Sequence, residues 1–223
     1  ELGRKLHPES PYEDPRVTTI ADDARSFFEK STRRYDVVVF GLLDSHTMLS
    51  SMSNVRLESF VYTLDSFERV REHLKEDGLV SVTFWVTASW IDERLGRLLV
   101  EVFGAESVYV HYGTIGTTFL AGSVPSELLG KYALELWRPD PGLGEIPLTT
   151  DDWPYLYLRT RKVPPVYWQT LLIIGLVCLA IIARSFPEAL HPDWHFWFLG
   201  AAFLLIEFKA ITELALLFGT TWL

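Results

Sequence analysis

Asp-Asp pairs occur twice in this 223-residue chain, as Asp22-Asp23 and as Asp151-Asp152, and a single carboxylate, Asp44, is followed two residues later by His46. Ionised carboxylates accept hydrogen bonds from amines and amides and stabilise cations, so they converge where a protein holds a nitrogen-rich ligand. A carboxylate or an imidazole beside an amine can also take its proton as a general base, and His46 belongs to the residue type that titrates near neutral pH. Each group has a plainer reading too. Acidic side chains are favoured at helix N-termini, where they accept from unpaired amides, which covers Asp22 and Asp23. A turn into Trp153-Pro154 covers Asp151 and Asp152, and a solvated loop covers His46.

The elements that would position these groups follow from local pattern. Val17 to Ile20 is a short β-branched run, Ala24 to Ser31 predicts a helix, and Val37 to Phe40 is a continuous apolar run of the kind buried on both faces of a parallel sheet. The order is strand, acidic turn, helix, strand. Ligands of open α/β sheets sit beyond the carboxyl ends of strands, which puts Asp22-Asp23 and Asp44 at the two places where a site would form. Downstream, Phe60, Val61, Leu64, Phe67, Val70 and Leu74 recur at helical spacing between Ser59 and Leu74, with a stop at Asp77-Gly78. Leu79 to Trp85 reads as a third buried strand and Ala88 to Phe103 as an amphipathic helix closed by Gly104. Ser107 to His111 and Thr117 to Ala121 read as a hairpin turning at Gly113 to Gly116, and Tyr132 to Trp137 is strand-like.

Asp22-Asp23-Ala24 after a strand, then a short helix and Tyr35-Asp36-Val37-Val38-Val39, resemble the spermidine synthase-like family of the S-adenosylmethionine-dependent methyltransferase fold. Thr150-Asp151-Asp152-Trp153-Pro154-Tyr155 resembles the stretch that closes that domain, and it leads into membrane helices as in a membrane-bound bacterial subgroup. The resemblance implies an α/β fold over residues 1–158, the second half of a Rossmann-like class I methyltransferase sheet with a C-terminal antiparallel hairpin. It implies S-adenosylmethionine or decarboxylated S-adenosylmethionine as cofactor, with Asp23 accepting from the adenine amine, the Ala24 amide donating to the ring, and Asp22 beside them. It further implies transfer of an aminopropyl or methyl group to an amine or other small nucleophile, with Asp44 catalytic and His46, Tyr62, Asp151 and Asp152 lining the substrate pocket. The match departs from the family at Gly41, where the catalytic Asp is usual, at Phe60, where Glu is usual, and at Thr83, where Gln is usual. The family's glycine-rich nucleotide loop and ribose-binding acid have no counterpart before Arg16. Their two strands would lie between the Val17 and Val37 strands.

Twenty Lys and Arg against 29 Asp and Glu give a formal charge of -9, which argues against a nucleic-acid partner, because phosphate binding needs clustered cations. The single cysteine, Cys178, lies in an apolar run, so no disulfide framework and no metal are expected. The apolar excess lies after Pro165. Val166 to Ala183 carries no charge, is opened by Tyr167-Trp168 and is closed by Arg184, and Trp194 to Phe218 is a second apolar stretch. These predict transmembrane helices over 166–184 and 194–218, joined to the α/β domain by a basic Pro-containing linker, 159–165. Arg159, Arg161 and Lys162 precede the first helix while Arg184 alone follows it, which predicts that the α/β domain is cytoplasmic, and the resemblance to a membrane-bound bacterial subgroup implies a multi-pass protein of the bacterial inner membrane.

The second span contains Glu207, Lys209 and Glu213. Lys209 and Glu213 are four apart and share a face, whereas Glu207 needs another partner. The readings are a transport path and a structural charge pair facing further transmembrane helices of the same longer chain. Glu1 to His7 reads as the end of a helix, and Leu223 follows soon after the second span, so the chain is expected to be part of something longer. Two functions remain open: a membrane-anchored transferase, and a catalytically silent nucleoside-binding or scaffold domain attached to a multi-helix module. Gly41 favours the second, and Asp22-Asp23-Ala24 with Asp44 favours the first.

Overall fold

The computed structural model describes residues 5–20, 22–42, 57–185 and 193–218. Helix α1 (Ala24–Lys30) starts where Asp23 Oδ1 accepts from the amides of Arg25 at 2.9 Å and Ser26 at 3.2 Å. It ends at Ser31, whose extended backbone leads into strand β1 (Tyr35–Gly41). The helix expected over Ser59 to Leu74 is divided in two, a 3-10 turn over Leu57–Tyr62 and helix α2 over Leu64–Glu72. Thr63 makes the break: its backbone is extended and its hydroxyl accepts from the Ser66 amide at 3.2 Å, an N-cap that only a non-helical residue can supply.

Helix α2 also ends before Asp77-Gly78. Strand β2 (Leu74–Phe84) pairs Leu74 with Tyr35 and then Leu79 with Val37, so residues 75–78 bulge from the ladder. After β2 come helix α3 (Ser89–Phe103), strands β3 (Val108–Tyr112) and β4 (Thr117–Gly122), helix α4 (Ser126–Lys131) and the two-residue strand β5 (Glu135–Leu136). The strand expected from Tyr132 is shorter because Ala133 turns the chain at φ 47°. At the hairpin tip the Gly113 amide donates to the Gly116 carbonyl at 3.0 Å. A Cβ on Gly116 would lie 2.7 Å from the Phe84 carbonyl oxygen, so this position requires glycine.

The sheet order is β1-β2-β4-β3-β5, with β1 and β2 parallel and the remaining pairs antiparallel. Helices α2 and α3 cover one face. Phe67, Val70, Leu95, Leu98, Leu99 and Val102 pack there with Val80, Val82, Phe84, Val110 and Phe119. Each such side chain, fully buried, contributes about 1.5–3 kcal/mol.

The opposite face is only half covered, and this corrects two sequence expectations. Within Val37–Phe40 only Phe40 is buried, its ring 5.7 Å from Phe67, while Val37 and Val39 are 49% and 66% exposed. Apolar content predicted two buried faces, but β1 is an edge strand whose outer face no helix covers among the described residues. For the same reason Val17 to Ile20 forms extended chain and not a strand, since no partner strand lies beside it among the described residues. Helices α5 (Pro165–Ser185) and α6 (Trp194–Phe218) complete the chain. At about 1.5 Å per residue α5 is roughly 30 Å long, the thickness of a bilayer's hydrocarbon core.

Candidate functional site

The turn before α1 and the turn after Thr149 lie far apart in sequence and meet in space. Arg25 Nη2 donates to Asp151 Oδ2 at 2.6 Å, and the Thr63 hydroxyl donates to Asp151 Oδ1 at 2.7 Å. The Asp151 amide in turn donates to Asp65 Oδ2 at 2.9 Å. Thr149 is wholly buried and donates its hydroxyl to the Tyr62 carbonyl at 2.5 Å. Burial pushes the Asp151 carboxyl up, and the nearby Asp65 and Glu29 add to this; the Thr63 hydrogen bond and the Arg25 charge oppose them. Burial prevails, so this carboxylate is held under tension between its partners and a poorly hydrated site.

The two faces of α1 do different things. Arg25, 8% exposed, points to the Asp151 junction, and its Nε and Nη1 are buried without an acceptor among the described residues. Ala24, Phe27 and Phe28 share the other face, as the helical spacing of three and four requires. They line an open cleft of about 600 Å³ with Arg16, Thr18, Ile20, Asp22 and residues 37–40 of β1. Ala24 is the first helical residue, so its amide has no intrahelical acceptor. Asp22 Oδ1 accepts from the Asp23 amide at 2.9 Å, and Lys30 lies 3.7 Å from its other oxygen. An amide donor, a carboxylate and aromatic rings in one cleft suit a planar heterocycle that both donates and accepts.

Of the remaining expected site residues, Asp23 adjoins the cleft between its lining residues Asp22 and Ala24, and the others fall elsewhere. Asp23 serves as the N-cap through Oδ1. Tyr62 is buried, its ring edge-on to Phe84 at 5.1 Å, so it belongs to the core and does not line the open cleft. Asp152 is exposed beside Asp151. Asp44 and His46 lie outside the described residues. In α6, Lys209 and Glu213 pair at 3.3 Å, and Glu207 has no charged partner among the described residues.

Sequence reasoning passed over two arginines. Arg25 sits in the first turn of α1, where the helix dipole disfavours a cation, and that misfit was the available signal. Arg94 falls on the apolar stripe of α3 with Ile91, Leu95 and Leu98, and is fully buried. Its Nε donates to the Pro147 carbonyl at 2.8 Å, Nη1 to those of Tyr155 and Leu156, and Nη2 to those of Leu158 at 2.6 Å and Arg159 at 3.3 Å. Trp153 lies against the same guanidinium, 5.2 Å from ring centroid to Cζ. No carboxylate pairs with it among the described residues, and burial pulls it down to about 10. It still carries its charge at neutral pH, held by carbonyl dipoles and the Trp153 ring.

No family model matches the chain. Among curated proteins it is similar to "Polyamine aminopropyltransferase 2" of Aquifex aeolicus (strain VF5), 33% identical over 76 residues, which is 34% of this chain and 14% of that relative. Among solved structures it is similar to spermidine synthase from Thermotoga maritima, with 16% identity, a TM-score of 0.42, and coverage of 77% of this chain and 56% of that one. It is also similar to a spermidine synthase in complex with the transition-state analogue AdoDATO, with 17% identity, a TM-score of 0.38, and coverage of 73% and 51%. The chain thus spans about half the length of these structures. Over those 76 residues this mixed α/β chain is similar in sequence to a polyamine aminopropyltransferase.

Proposed function

We propose that the chain is the nucleoside-binding part of a membrane-anchored, spermidine synthase-like transferase that takes S-adenosylmethionine or decarboxylated S-adenosylmethionine. The observation that carries this reading is the placement of Asp22 and Ala24 in one cleft at the N-terminus of α1, with the free amide of Ala24 beside a carboxylate. In this reading the adenine lies against that end of α1. Asp23 Oδ1 caps the helix, and Oδ2 accepts from the exocyclic amine. Asp151, locked to Arg25 and Thr63, holds the closing segment of the domain against the same helix.

The uncovered edge of β1 fits the same account. Val37 and Val39 present apolar surface that costs free energy in water, and in this reading the full-length protein covers it with the two strands that carry the nucleotide loop and the ribose-binding acid. Helix α5 and the span Trp194–Ile211 of α6 are long and apolar enough to cross a membrane, with mean hydropathies of 2.3 and 1.3, and in this reading they anchor the domain in the inner membrane with the basic linker on the cytoplasmic side. The acceptor is a small amine or other nucleophile.

One observation favours the silent alternative. Gly41, at the carboxyl end of β1, places no carboxylate where an amine would need a base, although among the described residues no atom lies within 4 Å of where its Cβ would be. Calorimetric titration of the full-length protein in detergent with S-adenosylmethionine, decarboxylated S-adenosylmethionine and methylthioadenosine tests the main reading. Binding of the decarboxylated form in preference to the other two points to aminopropyl transfer, and binding of none of the three contradicts the nucleoside reading.

A further inference from the structure

Arg159, Arg161 and Lys162 form an exposed basic group on the segment between the α/β domain and α5. The chain carries 29 acidic residues, yet none of these three cations has a carboxylate partner among the described residues. Unpaired cations in an acidic protein are surplus to its own ion pairs and are open to an external anion.

The group is not on a loose tether. Arg94, anchored in α3, donates to the carbonyls of Tyr155, Leu156, Leu158 and Arg159, which fixes the backbone up to the first of the three cations. Arg161 lies over Trp153 at 5.3 Å and donates to the Leu148 carbonyl at 3.4 Å, so its side chain is also held. Lys162 is three residues before α5, a span of roughly 10 Å at full extension. That is about one Debye length in physiological salt, so the attraction of the cations to charges at the level of the helix's first turn is reduced by screening but not abolished. That first turn carries Tyr167 and Trp168, the latter 60% exposed, the amphipathic rings that settle at the headgroup level of a bilayer.

We propose that Arg159, Arg161 and Lys162, held by Arg94 and Trp153, bind anionic phospholipid headgroups at the cytoplasmic entry of α5. The proposal rests on the reading of α5 as a membrane helix. The occupant is a lipid and not a free phosphate, because the cations adjoin the apolar helix and the aromatic residues that mark the interface. It is anionic because a zwitterionic headgroup brings no net charge to offset the three cations. A phosphatidylglycerol-type headgroup presents the phosphodiester oxygens that the guanidinium groups of Arg159 and Arg161 can bridge.

The test uses the full-length protein in nanodiscs containing phosphatidylcholine and phosphatidylglycerol in a 7:3 ratio, with lipids retained after detergent extraction counted by mass spectrometry. Each surface cation near an anionic leaflet is worth about fivefold in lipid affinity. The expected result is a phosphatidylglycerol to phosphatidylcholine ratio among the retained lipids at least about tenfold above the bulk ratio, falling below about twofold in the Arg159→Gln, Arg161→Gln, Lys162→Gln triple variant and unchanged in Arg184→Gln. All three substituted positions are exposed, and the variant's intrinsic tryptophan fluorescence checks that the domain is folded. Added inorganic phosphate at 50 mM, with ionic strength held constant, leaves the enrichment in place; its loss would mean a free-anion site and overturn the lipid assignment. Equal retention of the two lipids by the wild type, or enrichment that survives the triple substitution, also overturns the proposal. Extraction of the protein from membranes by alkaline carbonate would overturn the membrane reading, and this proposal with it, whereas equal retention by an integral protein defeats the lipid proposal alone.

Discussion

Arg25 and Asp151, 126 positions apart, form an ion pair of 2.6 Å that ties the start of α1 to the segment leading toward the membrane helices. Everything proposed for the nucleoside cleft depends on α1 being held, because a seven-residue helix has too few internal hydrogen bonds to stand alone.

Replacing Arg25 by Met should therefore destabilise the domain by about 1–3 kcal/mol, since it leaves a half-buried carboxylate beside Asp65 and Glu29. A double-mutant cycle with Asp151→Asn, measured by chemical denaturation, should show coupling of at least about 0.5 kcal/mol. Additive single effects would mean that the pair does not hold α1.

The pH dependence of Asp151 has a definite sign. Its folded carboxyl titrates above the usual range because of burial, so the native state binds the proton more tightly than the unfolded chain. Its stabilising contribution is complete below the unfolded value, near 3.8, and is lost as pH rises through the folded value. The stability difference between Asp151→Asn and wild type should therefore shift toward the variant between about pH 4 and neutrality. Carbon-detected NMR titration of the Asp151 carboxyl in Arg25→Met should show a further upward move, because the opposing cation is gone.

Arg94→Met should cost about 3–5 kcal/mol, because it leaves several carbonyls of residues 147–159 without their buried donor. Limited trypsin digestion should then cut at Arg159, Arg161 and Lys162 faster than in the wild type. Arg94→Lys should rescue little of this, since one ammonium cannot reach carbonyls spread from Pro147 to Arg159.

Glycine positions separate sharply. Among the described residues a Cβ at Gly41 meets no atom within 4 Å, and Gly41→Asp should change stability by less than about 1 kcal/mol. Gly96→Ala would bring a Cβ to 2.1 Å from the Trp137 ring and should cost about 1–3 kcal/mol or more. If the pocket is catalytically competent apart from its missing base, Gly41→Asp should also create or raise amine-transfer activity in the full-length protein.

Much of the fold was legible in the sequence because its signals were local. The periodicity of α3, the Gly113 to Gly116 turn and the apolar run of α5 fix those elements without reference to anything distant. The errors came from non-local causes. Val17 to Ile20 and Val37 to Val39 have strand composition, but whether they are paired and covered depends on neighbours that composition cannot reveal. The helix break at Thr63 combines a local N-cap on the Ser66 amide with a bond from the same hydroxyl to Asp151, 88 positions away, and only the first of these has a local signal. Of the candidate site, the carboxylates were found by type and by resemblance. Arg25, which pairs with Asp151, and Arg94, which holds the backbone of the closing segment, were not, because a cation at a helix N-terminus or on an apolar stripe looks like noise until its acceptors are known.

The central claim is that the Asp22-Asp23-Ala24 turn holds an adenine nucleoside, and the most direct measurement is the affinity of the full-length protein for methylthioadenosine with Asp23 replaced by Ser. Serine keeps the N-cap oxygen, so α1 and the fold remain, while the carboxylate that would accept from the adenine amine is removed. The account predicts wild-type binding that weakens at least about tenfold in Asp23→Ser with thermal stability nearly unchanged, the loss expected when a hydrogen bond to a charged group is removed. Equal affinity in the two proteins, or no binding in either, would contradict it.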